Sequence, residues 1–83
     1  MTKDEIKQMI IEQILEVAPD ISVEEITPDG SLQRSLEIDS FDFLKILTAM
    51  NEKTGVEVPE DDYAKVATLE SMAGYFAEHL SSK

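Results

Sequence analysis

The sequence predicts a small all-α fold: three substantial helices, one short helix before the last, and a long first connection. Three observations predict it. Apolar residues recur at helical spacing in three separate windows. Capping residues and glycine or proline stops bracket those windows. No strand is strongly predicted. The 83 residues suffice for one domain, expected to span 1–83. A domain this small buries a modest fraction of its surface, so marginal stability is expected. A helical bundle is the natural way to cover three apolar stripes.

Thr2-Lys3-Asp4-Glu5 fits a capping box, in which each end side chain bonds the other's free backbone N–H. Ile6, Met9, Ile10, Ile14 and Val17 follow at helical spacing, so the first helix runs from about Lys3 to Val17, and Pro19 stops it. Residues 18–38 read as irregular, punctuated by Pro19, Pro28 and Asp29-Gly30. Ile21, Val23, Ile26, Leu32, Leu36 and Ile38 are their expected apolar anchors, with a helical turn near 23–26 or 32–35. A loop of this length in so small a domain is often functional.

Asp39 is a good N-cap for the second helix, and Gly55 a good residue just past its end. At about 100° per residue, Phe43, Ile46, Leu47 and Met50 share its buried face. Phe41, Lys45, Thr48 and Glu52 fall on the other side, with Leu44 at the boundary. Val56 to Val58 forms an extended link ending at Pro59. Glu60-Asp61-Asp62 then suits the positive end of a short helix over about 60–66. Thr68 caps the last helix, Glu70 lies in its first turn, and Leu69, Met72, Ala73, Phe76 and Leu80 form its stripe. The tail, Ser81-Ser82-Lys83, is expected to fray.

Charge and composition narrow the function. Net charge is −11, from 18 acidic and 7 basic residues. Phosphates would be repelled, which argues against nucleic acid and anionic membranes as partners. Basic protein surfaces are favoured instead. There is no cysteine, so neither a disulfide nor a thiolate metal site is available. No apolar run approaches a membrane span, and the N-terminal residues lack a signal-peptide core. A cytoplasmic location and a monomer are expected. At 42% hydrophobic residues the chain is not a disordered acidic tail.

Catalytic and metal motifs are weak. Ser40 lacks a G-x-S-x-G setting, and the lone histidine, His79, lies off the buried stripe of its helix. The best calcium-loop register places Glu25, Thr27, Asp29 and Gly30 at positions one, three, five and six. Leu36 then occupies the twelfth, where a bidentate glutamate is required. The run Glu60-Asp61-Asp62 is spread around a helix and makes a poor cage. The expectation is therefore a protein that is not an enzyme and holds no metal.

Asp39-Ser40 is the remaining signal. Capping alone explains such a pair, but its physics also suits a phosphodiester. Free amides and the helix dipole at the first turn stabilise negative charge. An exposed serine there is open to a modifying enzyme. Phe41 beside it points outward, as a contact anchor would.

The segment Leu36-Glu37-Ile38-Asp39-Ser40-Phe41-Asp42 resembles the Asp-Ser-Leu attachment motif of the acyl carrier protein family. So do Thr54-Gly55-Val56-Glu57-Val58-Pro59, Glu60-Asp61-Asp62 and Val66-Ala67-Thr68-Leu69-Glu70, at the expected spacing and over essentially the whole chain. The short motif is weak alone; the ordered set is fairly specific. The resemblance implies a four-helix bundle with 4′-phosphopantetheine on Ser40, beside the motif residue Asp39. A phosphopantetheinyl transferase would attach it from coenzyme A. Acyl groups would ride as thioesters to loading and processing enzymes of fatty acid, polyketide or related biosynthesis. By the same analogy Phe41, Asp42, Leu44, Lys45, Thr48 and Glu52 would meet partners, and Phe43, Leu47, Val66 and Leu69 would line a cargo pocket.

The chain departs from the family pattern at five residues. Phe41 follows the serine where Leu or Met is usual. Ser35 and Glu37 replace an Asp and a Gly common upstream. Lys45 and Lys53 interrupt the acidic face of the second helix. These departures suggest a specialised, discrete carrier with a narrower partner set. A peptidyl or D-alanyl carrier shares the attachment chemistry. An unmodified helical interaction module, with Ser40 a mere cap, is the reading from another class.

Overall fold

A computed structural model describes residues 2–27 and 29–81. The expected punctuation at Pro28 and the fraying of Ser82-Lys83 lie outside the described residues, while Ser81, also expected to fray, is the last residue of the final helix. Among the described residues the fold is an all-α bundle of three long helices, with short helical segments in the connections between them. We label the α-helices α1 (Lys3–Val17), α2 (Leu32–Ser35), α3 (Ser40–Thr54) and α4 (Leu69–Ser81). A single 3-10 turn, Val23–Glu25, lies before α2, and a 3-10 helix, Glu60–Val66, lies between α3 and α4. The sequence predicts a helical turn near 23–26 or 32–35 in the first connection, and the structure holds one at each place.

Local capping sets the boundaries. Thr2 Oγ1 accepts the Glu5 N–H, and Glu5 Oε1 accepts the Thr2 N–H, each at 3.2 Å. At the end of α3, Gly55 takes φ 76°, a left-handed conformation that costs a residue without Cβ little, and donates to the Asn51 carbonyl at 2.7 Å. Thr68 and Ser71 cap each other at the start of α4: each side-chain oxygen accepts the other's N–H, at 3.0 and 3.1 Å.

Helix α1 is the spine, packed against both α3 and α4. Its stripe of Ile6, Ile10 and Ile14 is wholly buried. It meets Phe43, Ile46, Leu47 and Met50 from α3 and Leu69, Met72, Ala73 and Phe76 from α4 in one core. Leu80 is only partly buried, whereas Tyr75, outside the expected stripe, is buried.

The first connection is pinned rather than loose. Ile26, Leu32 and Ile38 are buried in the core, and the Leu32 N–H donates to the Ala67 carbonyl at 2.9 Å. Val23 is a correction to the expected anchors: it is 55% exposed. One 3-10 turn presents its few side chains in different directions, and here Ile26, just after it, takes the inward one.

Glu37 adopts φ 54°. That is the left-handed region, where a Cβ crowds the carbonyl that follows. The position is the one at which the resembling family commonly has glycine.

Candidate functional site

Ser40 is the first residue of α3 and is exposed. Asp39 Oδ1 accepts the Asp42 N–H at 2.8 Å, and the Asp39 carbonyl accepts the Phe43 N–H at 2.9 Å. The carboxylate thus fixes the helix start. The first-turn amides of a helix have no partner within it and, with the dipole, present positive potential beside the Ser40 hydroxyl.

Next to Ser40 lies a cleft of about 310 Å³ between α3 and the 3-10 helix. Phe43, Leu44, Tyr63, Ala64 and Ala67 supply its walls, and Gln33 its polar rim. Tyr63 stands edge-on to Phe43, with ring centroids 6.2 Å apart and planes at 78°. A second cleft, about 240 Å³, lies further along α3 and is bordered by Leu47, Thr48, Asn51, Glu57 and Val58, again with Leu44 and Tyr63.

Of the four expected cargo residues, Phe43 borders the first cleft and Leu47 the second. Val66 and Leu69 are buried in the core and border neither. Sequence reasoning missed Gln33, Tyr63, Ala64 and Ala67. Three residues per turn in a 3-10 helix put Tyr63 above Val66, and Ala64 above Ala67 just past its end. In so short a helix that spacing alone does not say which side chains meet α3.

The outward face of α3 gathers the residues expected to meet partners. Phe41 is 78% exposed and Leu44 38% exposed. With Lys45, Thr48, Ala49 and Glu52 they border a shallow groove of about 340 Å³. Asp42 stands at its side, its carboxylate 3.6 Å from Lys45 Nζ. An exposed pair like this contributes little to stability.

The ionisable groups most perturbed lie elsewhere. Hydrogen bonds from Lys3 and Lys7 hold the Glu70 carboxyl down at about 2, and the same contact raises Lys7. Burial, then a hydrogen bond to Asp62, pushes the Tyr75 hydroxyl up to about 12. The Tyr75 hydroxyl and then Lys65 lower Asp62, and backbone then side-chain bonds from Thr2 lower Glu5. His79 stacks on Tyr75 at 4.0 Å, and its Nδ1–H donates to the Tyr75 carbonyl at 2.8 Å. Lys3 and Lys7 with Glu70, and Tyr75 with Asp62, join different elements, while Thr2 with Glu5 and Tyr75 with His79 act within one. Among the described residues no three His, Asp or Glu converge as a metal cage, and no helix is long and apolar enough to cross a membrane.

Comparison with known proteins gives one answer. The profile of a family described as "Phosphopantetheine attachment site" matches residues 8–76. An acyl carrier protein of Rubrobacter xylanophilus is 30% identical over 79 residues, covering 92% of this chain and 98% of its own length. One from Zymomonas mobilis is 35% identical over 78 residues, 94% of each chain. Another, from Streptomyces coelicolor, is 35% identical over 63 residues, 76% of this chain and 68% of its own.

Proposed function

The chain belongs to the acyl carrier protein family, with 4′-phosphopantetheine as its covalent cofactor, and on that premise we propose that it is a non-catalytic carrier in which Ser40 is the attachment residue. The observation that carries this is the placing of an exposed serine at the first residue of a fifteen-residue helix, beside an apolar cleft. The residues fit the group. The Ser40 hydroxyl is open to an approaching enzyme, and the first-turn amides and dipole offset the charge of a phosphodiester. Asp39 is engaged in capping and holds the helix start rather than serving as a base.

When bound, the cofactor supplies a terminal thiol that holds an acyl group as a thioester. The chain's own part is to orient that arm, to shelter apolar cargo, and to present a docking face. In this reading Phe43 and Leu47 border the sheltering clefts, while Val66 and Leu69 back them from the core. Phe41, Asp42, Leu44, Lys45, Thr48 and Glu52 meet partners. Those partners are a phosphopantetheinyl transferase and the acyl-loading and acyl-processing enzymes of fatty acid, polyketide or related biosynthesis. The protein works as one domain and a monomer, in the cytoplasm.

The test is direct. The purified protein is incubated with coenzyme A and a broad-specificity phosphopantetheinyl transferase, then weighed by mass spectrometry. The expected result is one added phosphopantetheine, lost in Ser40→Ala. Wild-type protein that stays unmodified beside a loaded control carrier would falsify the reading. Incubating the loaded form with acyl- and aminoacyl-loading enzymes then separates acyl cargo from aminoacyl cargo.

A further inference from the structure

The cleft beside Ser40 and the cleft further along α3 share two bordering residues, Leu44 and Tyr63. These two side chains therefore stand between them. Tyr63 is half-buried, and its edge-to-face contact is with Phe43, which is itself buried in the core. Leu44 is more exposed, at 38%. The fixed part of the partition is the Tyr63 ring.

The two compartments also differ in chemistry. The one at Ser40 is walled by Phe43, Ala64 and Ala67, with Gln33 at its rim. At about 310 Å³ it sits at the low end of ligand-sized cavities, roughly 300–1,000 Å³. The distal one is smaller and bordered by Thr48, Asn51 and Glu57, whose polar groups are costly to strip of water.

From this we infer that Tyr63 sets the length of cargo this carrier shelters: its ring confines the acyl chain to the compartment at Ser40 and selects short apolar acyl groups. The inference rests on the reading of Ser40 as the attachment residue. A longer chain must either displace the ring from Phe43 or leave its end in water. Removing the ring joins the two clefts into one groove along α3.

The experiment loads wild-type protein, Tyr63→Ala and Tyr63→Phe with butyryl-, hexanoyl-, octanoyl-, decanoyl- and dodecanoyl-phosphopantetheine. Loading is verified by mass, and folding by circular dichroism. The readout is the rate of thioester cleavage by hydroxylamine, relative to the free acyl-pantetheine. In wild-type protein, protection rises by up to about fourfold per sheltered methylene over the shorter chains and then levels off. Tyr63→Phe levels off at the same length, because the ring matters and not the hydroxyl. Tyr63→Ala levels off at a longer chain. Ala64→Phe, which fills the first compartment, loses protection at every length.

Protection that climbs without a break to dodecanoyl in wild-type protein overturns the inference. So does Tyr63→Ala levelling off where wild-type protein does, or protection surviving in Ala64→Phe. These outcomes leave Ser40 as the attachment residue intact. A chain that takes up no phosphopantetheine removes both.

Discussion

Tyr75 donates its hydroxyl hydrogen to Asp62 Oδ2 at 2.8 Å, and so ties α4 to the 3-10 helix that closes the cleft beside Ser40. The bond ends on the short helix Glu60–Val66, which lies between α3 and α4. Lys65 holds the same carboxylate from within that helix, at 3.2 Å.

Tyr75→Phe removes this tie while keeping the buried ring. A lost hydrogen bond to a charged acceptor lowers Tm by a few degrees in a domain of this size. Hydrogen exchange should quicken over 60–66 more than over α1. Equal change in the two segments would show that the bond steadies the whole bundle and not the cleft wall.

Glu70 should contribute to the loss of stability in acid. Its carboxyl lies at about 2 when folded, against the ordinary 4.5, because Lys3 and Lys7 bond it, Lys7 at 2.6 Å. Asp62 is lowered as well, first by Tyr75. The folded state therefore binds fewer protons than the unfolded chain in acid. The stabilisation is complete above the unfolded values, and it is lost as pH falls from about 4.5 toward 2. Glu70→Gln should flatten urea midpoints across that window. High salt should do the same in part, because the group is exposed. A Glu70→Gln profile that overlays wild type rules this account out.

Glu37→Gly should stabilise the protein. The left-handed backbone at φ 54° is unfavourable for a residue with a Cβ, while glycine adds some freedom to the unfolded chain. The net gain is about 0.5–1 kcal/mol, read as a higher urea midpoint at unchanged slope. A lower midpoint would mean that contacts of the Glu37 side chain outweigh the backbone strain.

Lys45→Glu should leave stability nearly unchanged, since Lys45 is exposed and its pair with Asp42 is long. Its effect should fall on association. Charge reversal beside Phe41 changes the on-rate and salt dependence of docking differently for acidic and basic partner surfaces. Should loading and affinity stay the same across candidate enzymes, Lys45 does not determine partner choice.

Phe41 and Tyr63 show how far the sequence could be read. Helical phase alone turned Phe41 outward, because α3 is long and has one strong stripe to bury. Tyr63 lies in a seven-residue 3-10 helix, too short for a pattern to fix which side chains reach α3. Val23 failed as an anchor for a similar reason.

Local sequence by itself determined where the long helices begin and end, which stripes they bury, and which serine opens α3. Thr2 with Glu5, Asp39, Gly55 and Thr68 act within a few residues of themselves, so their effect is written in the order of the chain. Only the tertiary structure decided that Lys3 meets Glu70, that Tyr75 meets Asp62, and that Tyr63 stands against Phe43. Each of those pairs joins different elements. Which side chains meet there depends on how the helices pack around α1, and packing is a property of the whole core rather than of any window of sequence.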